Sequence, residues 1–458
     1  VRLGRIFVVL FAALALRQIW LGVIEGPSIA ARPNNPRHTA VAVGRGAILA
    51  SDGTPLAISR GDVRVYPQGA LVAHAVGYAS ARYGTSGLED AFDNVLTARA
   101  EATDPFTQLL HILTGTSHAP RGDDVVTTID MNVQRALVRG LSRFPRAAGI
   151  VLDPQTGAVL AMGSVPSYDP NHLDAQWSSL IADPASPLLD RTIQGLYPPG
   201  STFKIVTAAD ALDAGVVTPD STFVDNGGFR VGSFTVRNDE EEVTGTQNLS
   251  GAFALSSNVD FAQIALRIGV DRWFDYAARW GLGASAEFDL PVSRDRVPPP
   301  ADVSPSILAQ FGFGQASLLV TPMRMALIGA TIAHDGVMPR PYLVRRLAGS
   351  DTALATRAET IGQPISSETA AEVRTMMIAV VARGTGTAAR IAGVTVAGKT
   401  GTATNPHGRS HAWFVAFAPA DAPRVAVAVV IENVGYGGTY AAPVARDVLR
   451  VALARPRR

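Results

Sequence analysis

A serine followed three residues later by a lysine, Ser201-Thr202-Phe203-Lys204, sets a hydroxyl and an amine one helical turn apart on the same face. A hydroxyl is a poor nucleophile until a base takes its proton, and a lysine can be that base once desolvation or a positive neighbour lowers its pKa. Two more short motifs follow in chain order, Ser256-Ser257-Asn258 and Lys399-Thr400-Gly401-Thr402. Ser256 could relay a proton to a leaving amine, and Asn258 carries a donor and an acceptor on one amide, suited to holding a peptide group. Gly401 offers a strand without a side chain where a peptide could lie close, and the flanking hydroxyls of Thr400 and Thr402 could meet a carboxylate. The backbone N–H groups of Ser201 and Thr402 are candidates for an oxyanion hole. Each motif alone is weak, since the three can also be read as a capped helix with a solvated lysine, a helix cap and a bulged strand. In this order they describe covalent acyl chemistry on Ser201.

Composition sharpens that reading. Of 40 basic residues only Lys204 and Lys399 are lysine, the rest being arginine. Where arginine serves every need for a permanent charge, a retained lysine is a candidate for what a guanidinium cannot do, which is to lose its proton. Both lysines fall inside the motifs.

The elements that must position these groups are legible around them. Thr202 to Leu212 reads as a helix, which puts Ser201 at a helix N-terminus with its free N–H groups and positive partial charge. Ser256 to Asn258 lies between two apolar helical stretches, Ala252 to Leu255 and Phe261 to Ile268, and Lys399 follows the strand-like Val394 to Ala397. From Gly122 onward the pattern is that of a large α/β domain. Asp124 to Thr128 reads as a strand and Met131 to Leu141 as an amphipathic helix. Ala148 to Leu152 and Ala158 to Met162 form a hairpin about Asp153-Pro154-Gln155-Thr156-Gly157. Ala412 to Phe417 and Val425 to Ile431 are strands, and Ala442 to Ala454 a helix. Strands at both ends with helices between predict a mixed sheet whose terminal strands meet, covered by helices on its faces.

Ahead of that domain, residues 27–121 read as a linker and a small pedestal of short strands and helices without a catalytic cluster. Residues 1–26 hold two apolar stretches, Ile6 to Leu16 and Ile19 to Ile24, about Arg17-Gln18. They can be read as an uncleaved membrane anchor or as a signal peptide cleaved near Ala13-Leu14-Ala15, and either sends the rest of the chain across a membrane. The net charge of +1, with no dense Lys/Arg run, argues against a nucleic-acid partner, and the absence of cysteine excludes disulfides and thiol nucleophiles. The eight histidines are scattered, and although His407 and His411 are four apart, no carboxylate completes a metal pattern with them.

The chain resembles the class B penicillin-binding proteins. The resemblance rests on the three motifs together with Gln194 to Lys204, Gly312-Phe313-Gly314-Gln315, Thr321-Pro322-Met323, His411-Ala412-Trp413-Phe414 and Ala442-Pro443, in the family's order. Upstream, Arg45-Gly46-Ala47-Ile48, Asp52-Gly53 and Ser86-Gly87-Leu88-Glu89 look like the pedestal signature, most similar to the PbpA group of elongation-type proteins. The resemblance implies an anchor at 1–26, a pedestal or dimerisation-like domain within 27–121, and at 122–458 a transpeptidase domain of the serine β-lactamase-like α/β fold, with a mainly antiparallel sheet. It implies a D,D-transpeptidase with Ser201 as nucleophile, Lys204 as its base, Ser256 and Asn258 as relay and substrate clamp, and Lys399, Thr400, Gly401 and Thr402 as the substrate-binding strand. Peptidoglycan (lipid II) stem peptides would be the substrate, β-lactams would acylate the same serine, and no cofactor or metal is implied. A SEDS glycosyltransferase of the RodA or FtsW type would be the membrane partner, with the catalytic domain extracytoplasmic and held by a single-pass anchor in the cell membrane. A septal enzyme, a non-catalytic penicillin-binding scaffold, and a serine β-lactamase or D,D-carboxypeptidase remain alternatives. Arg324, where the family often has glutamine, and the acidic run Asp239-Glu240-Glu241-Glu242 depart from the pattern, and neither is expected to touch the chemistry.

Overall fold

The computed structural model describes residues 14, 17, 20, 44–97, 122–349, 355–406 and 408–455. The expected anchor apart from Leu14, Arg17 and Trp20, the linker from Gly26 to Arg37, the run Ala40 to Val43 and His407 lie outside them. Among the described residues no helix is long and apolar enough to cross a membrane.

In chain order, the elements that matter for the site begin with β1 (Ile48–Leu49), β2 (Pro55–Arg60), β3 (Val63–Val65), α1 (Gly87–Ala91) and β4 (Asp124–Thr127). Next come α2 (Met131–Leu141), β5 (Ala147–Leu152), β6 (Val159–Val165), α3 (Lys204–Asp213), β7 (Thr222–Asp225) and β8 (Gly245–Asn248). They are followed by α4 (Leu249–Leu255), α5 (Asn258–Ile268), α6 (Pro322–Ala333), β9 (Val344–Ala348) and α7 (Ser367–Arg383). The chain closes on β10 (Ala397–Ala403), β11 (His411–Ala418), β12 (Val425–Ile431) and α8 (Gly437–Leu453).

The central sheet has the order β10-β11-β12-β5-β6. As expected, strands from the two ends of the domain meet, β12 pairing with β5 from Ala426↔Leu152 to Ile431↔Ala147. All four pairings are antiparallel, so the sheet is not mixed. β5, β6, β11 and β12 are apolar at nearly every position because both faces are covered, whereas β10 carries Lys399, Thr400 and Thr402. Along β11 the period of two divides them: Trp413, Val415 and Phe417 join the core containing α6, while Ala412, Phe414 and Ala416 join the one containing α2 and α8. β10 is an edge strand.

The smaller sheet, β9-β4-β1-β2-β3, is built from both ends of the anticipated domain division. β4, expected as the first strand of the catalytic domain, pairs parallel with β1 of the pedestal, Ile48 opposite Val125, and β9 closes the sheet from its other side. One sheet therefore ties pedestal to catalytic domain.

The pedestal landmarks have a physical reason. Glu89 of α1 is fully buried, and its carboxylate receives Arg45 Nε at 2.6 Å and Arg64 Nε at 2.7 Å, while Arg45 Nη1 also reaches Asp93 at 2.6 Å. Gly46 must lack a side chain because a Cβ there would stand 2.0 Å from the carbonyl oxygen of Asp123.

Candidate active site

Ser201 lies in a single 3-10 turn, Gly200–Phe203, that runs into α3. In a 3-10 turn residues i and i+3 eclipse, so Lys204 stands over Ser201 more directly than α-helical spacing would place it. The turn is braced on three sides. Trp413 Nε1 on β11 donates to the carbonyl of Pro198 at 3.1 Å, the Gly200 N–H donates to Gly314 at 2.9 Å, and a Cβ on Gly200 (φ +54°) would meet the Thr402 carbonyl oxygen at 2.6 Å. Gly314 sits as closely on Gly200, which accounts for the Gly312-Phe313-Gly314-Gln315 landmark.

Lys204 is fully buried. Its Nζ lies 3.0 Å from Ser201 Oγ, 2.8 Å from Asn258 Oδ1, 2.5 Å from the Ser256 carbonyl and 3.2 Å from Ser256 Oγ. Two of these partners, the Ser256 carbonyl and Asn258 Oδ1, can only accept. A neutral amine has two hydrogens and one lone pair, so those acceptors occupy both hydrogens and leave the lone pair to a hydroxyl, as a base for Ser201 requires. Burial, and then the charge of Lys399, push the Lys204 pKa well below its ordinary value.

Ser256 supplies that geometry by adopting the left-handed conformation (φ 66°, ψ 37°) where α4 ends. Its Oγ bridges the two lysines, with Lys399 Nζ at 2.8 Å on the far side. Lys399 is also fully buried, and burial lowers its pKa to about 7. Asn258 begins α5, with Ser257 as the N-cap accepting from the Asp260 N–H at 3.1 Å.

The four residues expected on the substrate strand separate by the period of two. All four belong to β10 itself, which starts at Ala397 rather than at the predicted Val394, and runs without a bulge against β11. Thr400 and Thr402 line a cleft of about 470 Å³ with Ser201 and Ser256. Lys399 and Gly401 lie on the opposite face of β10 from Thr400 and Thr402. Lys399 reaches Ser256, and a Cβ on Gly401 would fall 2.9 Å from Thr202 Cγ2 and 2.9 Å from Trp413 Cβ, against the turn that carries Ser201. As an edge strand, β10 has a strand partner on one side only, a geometry to which an extended peptide can add.

The acidic run is an exposed turn, as its composition suggests, but it borders the site. Asp239, Glu240 and Glu242 line the cleft, and Tyr436, at the N-cap of α8, donates its hydroxyl to Glu240 at 2.7 Å, joining the two walls. Asp239 acts on both lysines, raising their pKa values against the effect of burial. Arg324, in contrast, is buried away from the cleft in a pair with Asp295 at 2.7 Å. Reasoning from sequence missed Thr385, whose hydroxyl meets that of Thr400 at 2.5 Å in the cleft, and Asn238, which touches the start of α5. Neither carries a spacing signal, because each comes from a loop remote in sequence from its partner.

Comparisons with known proteins follow the same lines. Residues 147–450 match the family model for the penicillin binding protein transpeptidase domain, and residues 45–125 match that for the penicillin binding protein A dimerisation domain. The peptidoglycan D,D-transpeptidase PbpA of Mycolicibacterium smegmatis is 38% identical over 429 residues, covering 85% of this chain and 84% of that protein. The peptidoglycan D,D-transpeptidase MrdA of Escherichia coli is 29% identical over 435 residues, covering 82% of this chain and 69% of that one. Among solved structures, the ceftriaxone acyl-enzyme complex of penicillin-binding protein A from M. tuberculosis superposes with a TM-score of 0.81 at 35% identity. It covers 89% of this chain and 98% of that one.

Proposed function

The chain belongs to the penicillin-binding protein transpeptidase family, and from that membership we propose that it cross-links peptidoglycan stem peptides as a serine D,D-transpeptidase, with Ser201 as the acylated residue. The observation that carries the assignment is the buried Lys204 amine 3.0 Å from Ser201 Oγ, with both its neutral-state hydrogens directed to acceptors.

In the reaction that follows, Ser201 Oγ attacks the carbonyl carbon between the two terminal D-alanines and passes its proton to neutral Lys204. The tetrahedral oxygen is held by the backbone N–H groups of Ser201 and Thr402. When the carbon–nitrogen bond breaks, the departing D-alanine amine takes a proton through Ser256 Oγ, which touches both lysines. The ester on Ser201 is then attacked by an amine of a neighbouring stem peptide, which gives up a proton to Lys204 as the new amide forms and the Ser201 hydroxyl is restored. Thr400 and Thr402 receive the substrate's terminal carboxylate, with the charge of Lys399 behind them. A β-lactam enters by the first step alone.

The elongation-type assignment rests on the pedestal series around Arg45 and Glu89. A membrane anchor, an extracytoplasmic catalytic domain and a SEDS-type glycosyltransferase partner rest on the family resemblance.

Labelling with a fluorescent penicillin followed by peptide mapping tests the chemistry. A stable adduct on Ser201, abolished in both Ser201→Ala and Lys204→Arg, is the expected result. An adduct on another residue, or none, would sink the catalytic assignment in favour of a binding scaffold.

A further inference from the structure

The turn that carries Ser256 and Asn258 is not held by α4 and α5 alone. Asn238, between β7 and β8, presents Oδ1 to the backbone N–H groups of Asn258 at 2.7 Å and Val259 at 3.2 Å. These belong to the first turn of α5, where N–H groups have no partner within the helix. The neighbouring carbonyl of Arg237 accepts from Asn258 Nδ2 at 3.2 Å, so backbone and side chain of Asn258 are gripped by consecutive residues.

Asn238 is itself aimed. Its Nδ2 donates to Asp225 Oδ2 at 2.6 Å and to the Glu242 carbonyl at 2.9 Å. Asp225, buried at the end of β7, fixes the loop further by accepting from the Thr244 N–H at 2.8 Å, the Thr244 hydroxyl at 2.9 Å and the Gly227 N–H at 2.9 Å. With Nδ2 committed to Asp225 and Glu242, the amide of Asn238 can turn only its oxygen toward α5.

We propose that Asn238, oriented by Asp225, is a positioning residue for acylation: it sets the place of Asn258 Oδ1 and the Ser256 carbonyl, and through them the direction of the Lys204 lone pair. The two acceptors that occupy the hydrogens of Lys204 both belong to the segment that Asn238 and Arg237 grip. If the segment relaxes, Lys204 remains buried and close to Ser201, but its lone pair is no longer restricted to a hydroxyl. Asp239 and Glu240, the next two residues, form the rim of the cleft, so the loop that holds the base in register also borders the bound peptide.

The inference rests on the acyl-enzyme reading above, and acylation kinetics separate the two. A slowly reacting fluorescent β-lactam, followed over a range of concentrations, yields the non-covalent dissociation constant and the acylation rate constant separately, and the labelled fraction at completion counts intact sites. Asn238→Ala is expected to lower the acylation rate constant per labelled site at least tenfold and to change the dissociation constant less than threefold. Asp225→Ala should do the same, and the double variant should be no slower than Asn238→Ala, because Asp225 acts through Asn238. A purely structural role would reduce the labelled fraction and the melting temperature while leaving the rate constant per site unchanged, and that outcome overturns the proposal. So does a double variant slower by the product of the two single effects. Should Asn238→Ala not fold, Asn238→Ser, too short to bridge Asp225 and α5, is read by the same criteria. A wild-type chain that takes no label overturns both readings.

Discussion

Two lysines buried within reach of one serine hydroxyl are the residue-scale source of reactivity. Each would prefer to be neutral there, and each lowers the chance that the other is charged, so they titrate as a pair rather than independently. The proposed mechanism requires charge of one and neutrality of the other: Lys204 neutral to accept the Ser201 proton, and Lys399 charged to draw the substrate carboxylate toward Thr400 and Thr402. The Lys204 pKa lies well below the ordinary lysine value, so acylation rises with pH through that titration. Lys399 loses its charge above about 7, so binding of a carboxylate-bearing penicillin weakens on the alkaline side. The second-order acylation rate is therefore expected to be bell-shaped in pH. In Lys399→Arg, whose guanidinium stays charged, the alkaline limb should move up by at least one pH unit, measured with the same penicillin across the range. An unmoved limb would show that Lys399 does not set it.

At the scale of elements, the site is an agreement between a turn, a helix end and an edge strand. Ser201 comes from a 3-10 turn, Ser256 and Asn258 from the break between α4 and α5, and Thr400 and Thr402 from β10. Gly401 is where the turn and the strand must touch, its missing Cβ leaving room for Thr202 and Trp413. Gly401→Ala forces at least one of these apart, an overpacking that costs about 1–3 kcal/mol in well-packed cores. We expect a lowered melting temperature and an acylation rate constant reduced at least tenfold, because the displaced turn carries the nucleophile. A variant destabilised but acylated at the wild-type rate would mean that the strand yields instead of the turn.

Over the whole molecule, the pedestal and the catalytic domain share a five-stranded sheet, so their stabilities are linked. The charged core of the pedestal is Glu89 between Arg45 and Arg64. Removing one member of a buried ion pair costs about 3–5 kcal/mol because the partner charge stays buried and unpaired. Glu89→Ala removes a carboxylate from two guanidinium groups at once, leaving Arg45 only its pair with Asp93. Its expected signature is a fall in melting temperature for the whole cooperative unit, seen by calorimetry, with acylation per folded molecule unchanged. A separate early transition, leaving the catalytic domain's melting temperature untouched, would show that the shared sheet does not couple them.

The chemistry was written in the sequence because it depends on local spacing and rare residue types. Ser201 and Lys204 fall within one turn, Ser256 and Asn258 within another, and both lysines of the chain fall inside the motifs. Strands and helices with strong periodicity were legible for the same reason, down to the meeting of β5 with β12. What depends on which face of a strand looks into the cleft was decided by tertiary structure, since the period of two becomes meaningful only once the sheet has an inside and an edge. It placed Thr400 and Thr402 in the lining of the cleft and set Lys399 and Gly401 on the other face of β10, Lys399 against Ser256. Contacts between distant loops were likewise invisible beforehand. Asn238 reaches Asn258, Thr385 reaches Thr400 and Glu240 reaches Tyr436 across 20, 15 and 196 residues, and hydrogen bonds of that kind leave no pattern in a single sequence because Asn238, Thr385 and Glu240 are, alone, ordinary polar residues.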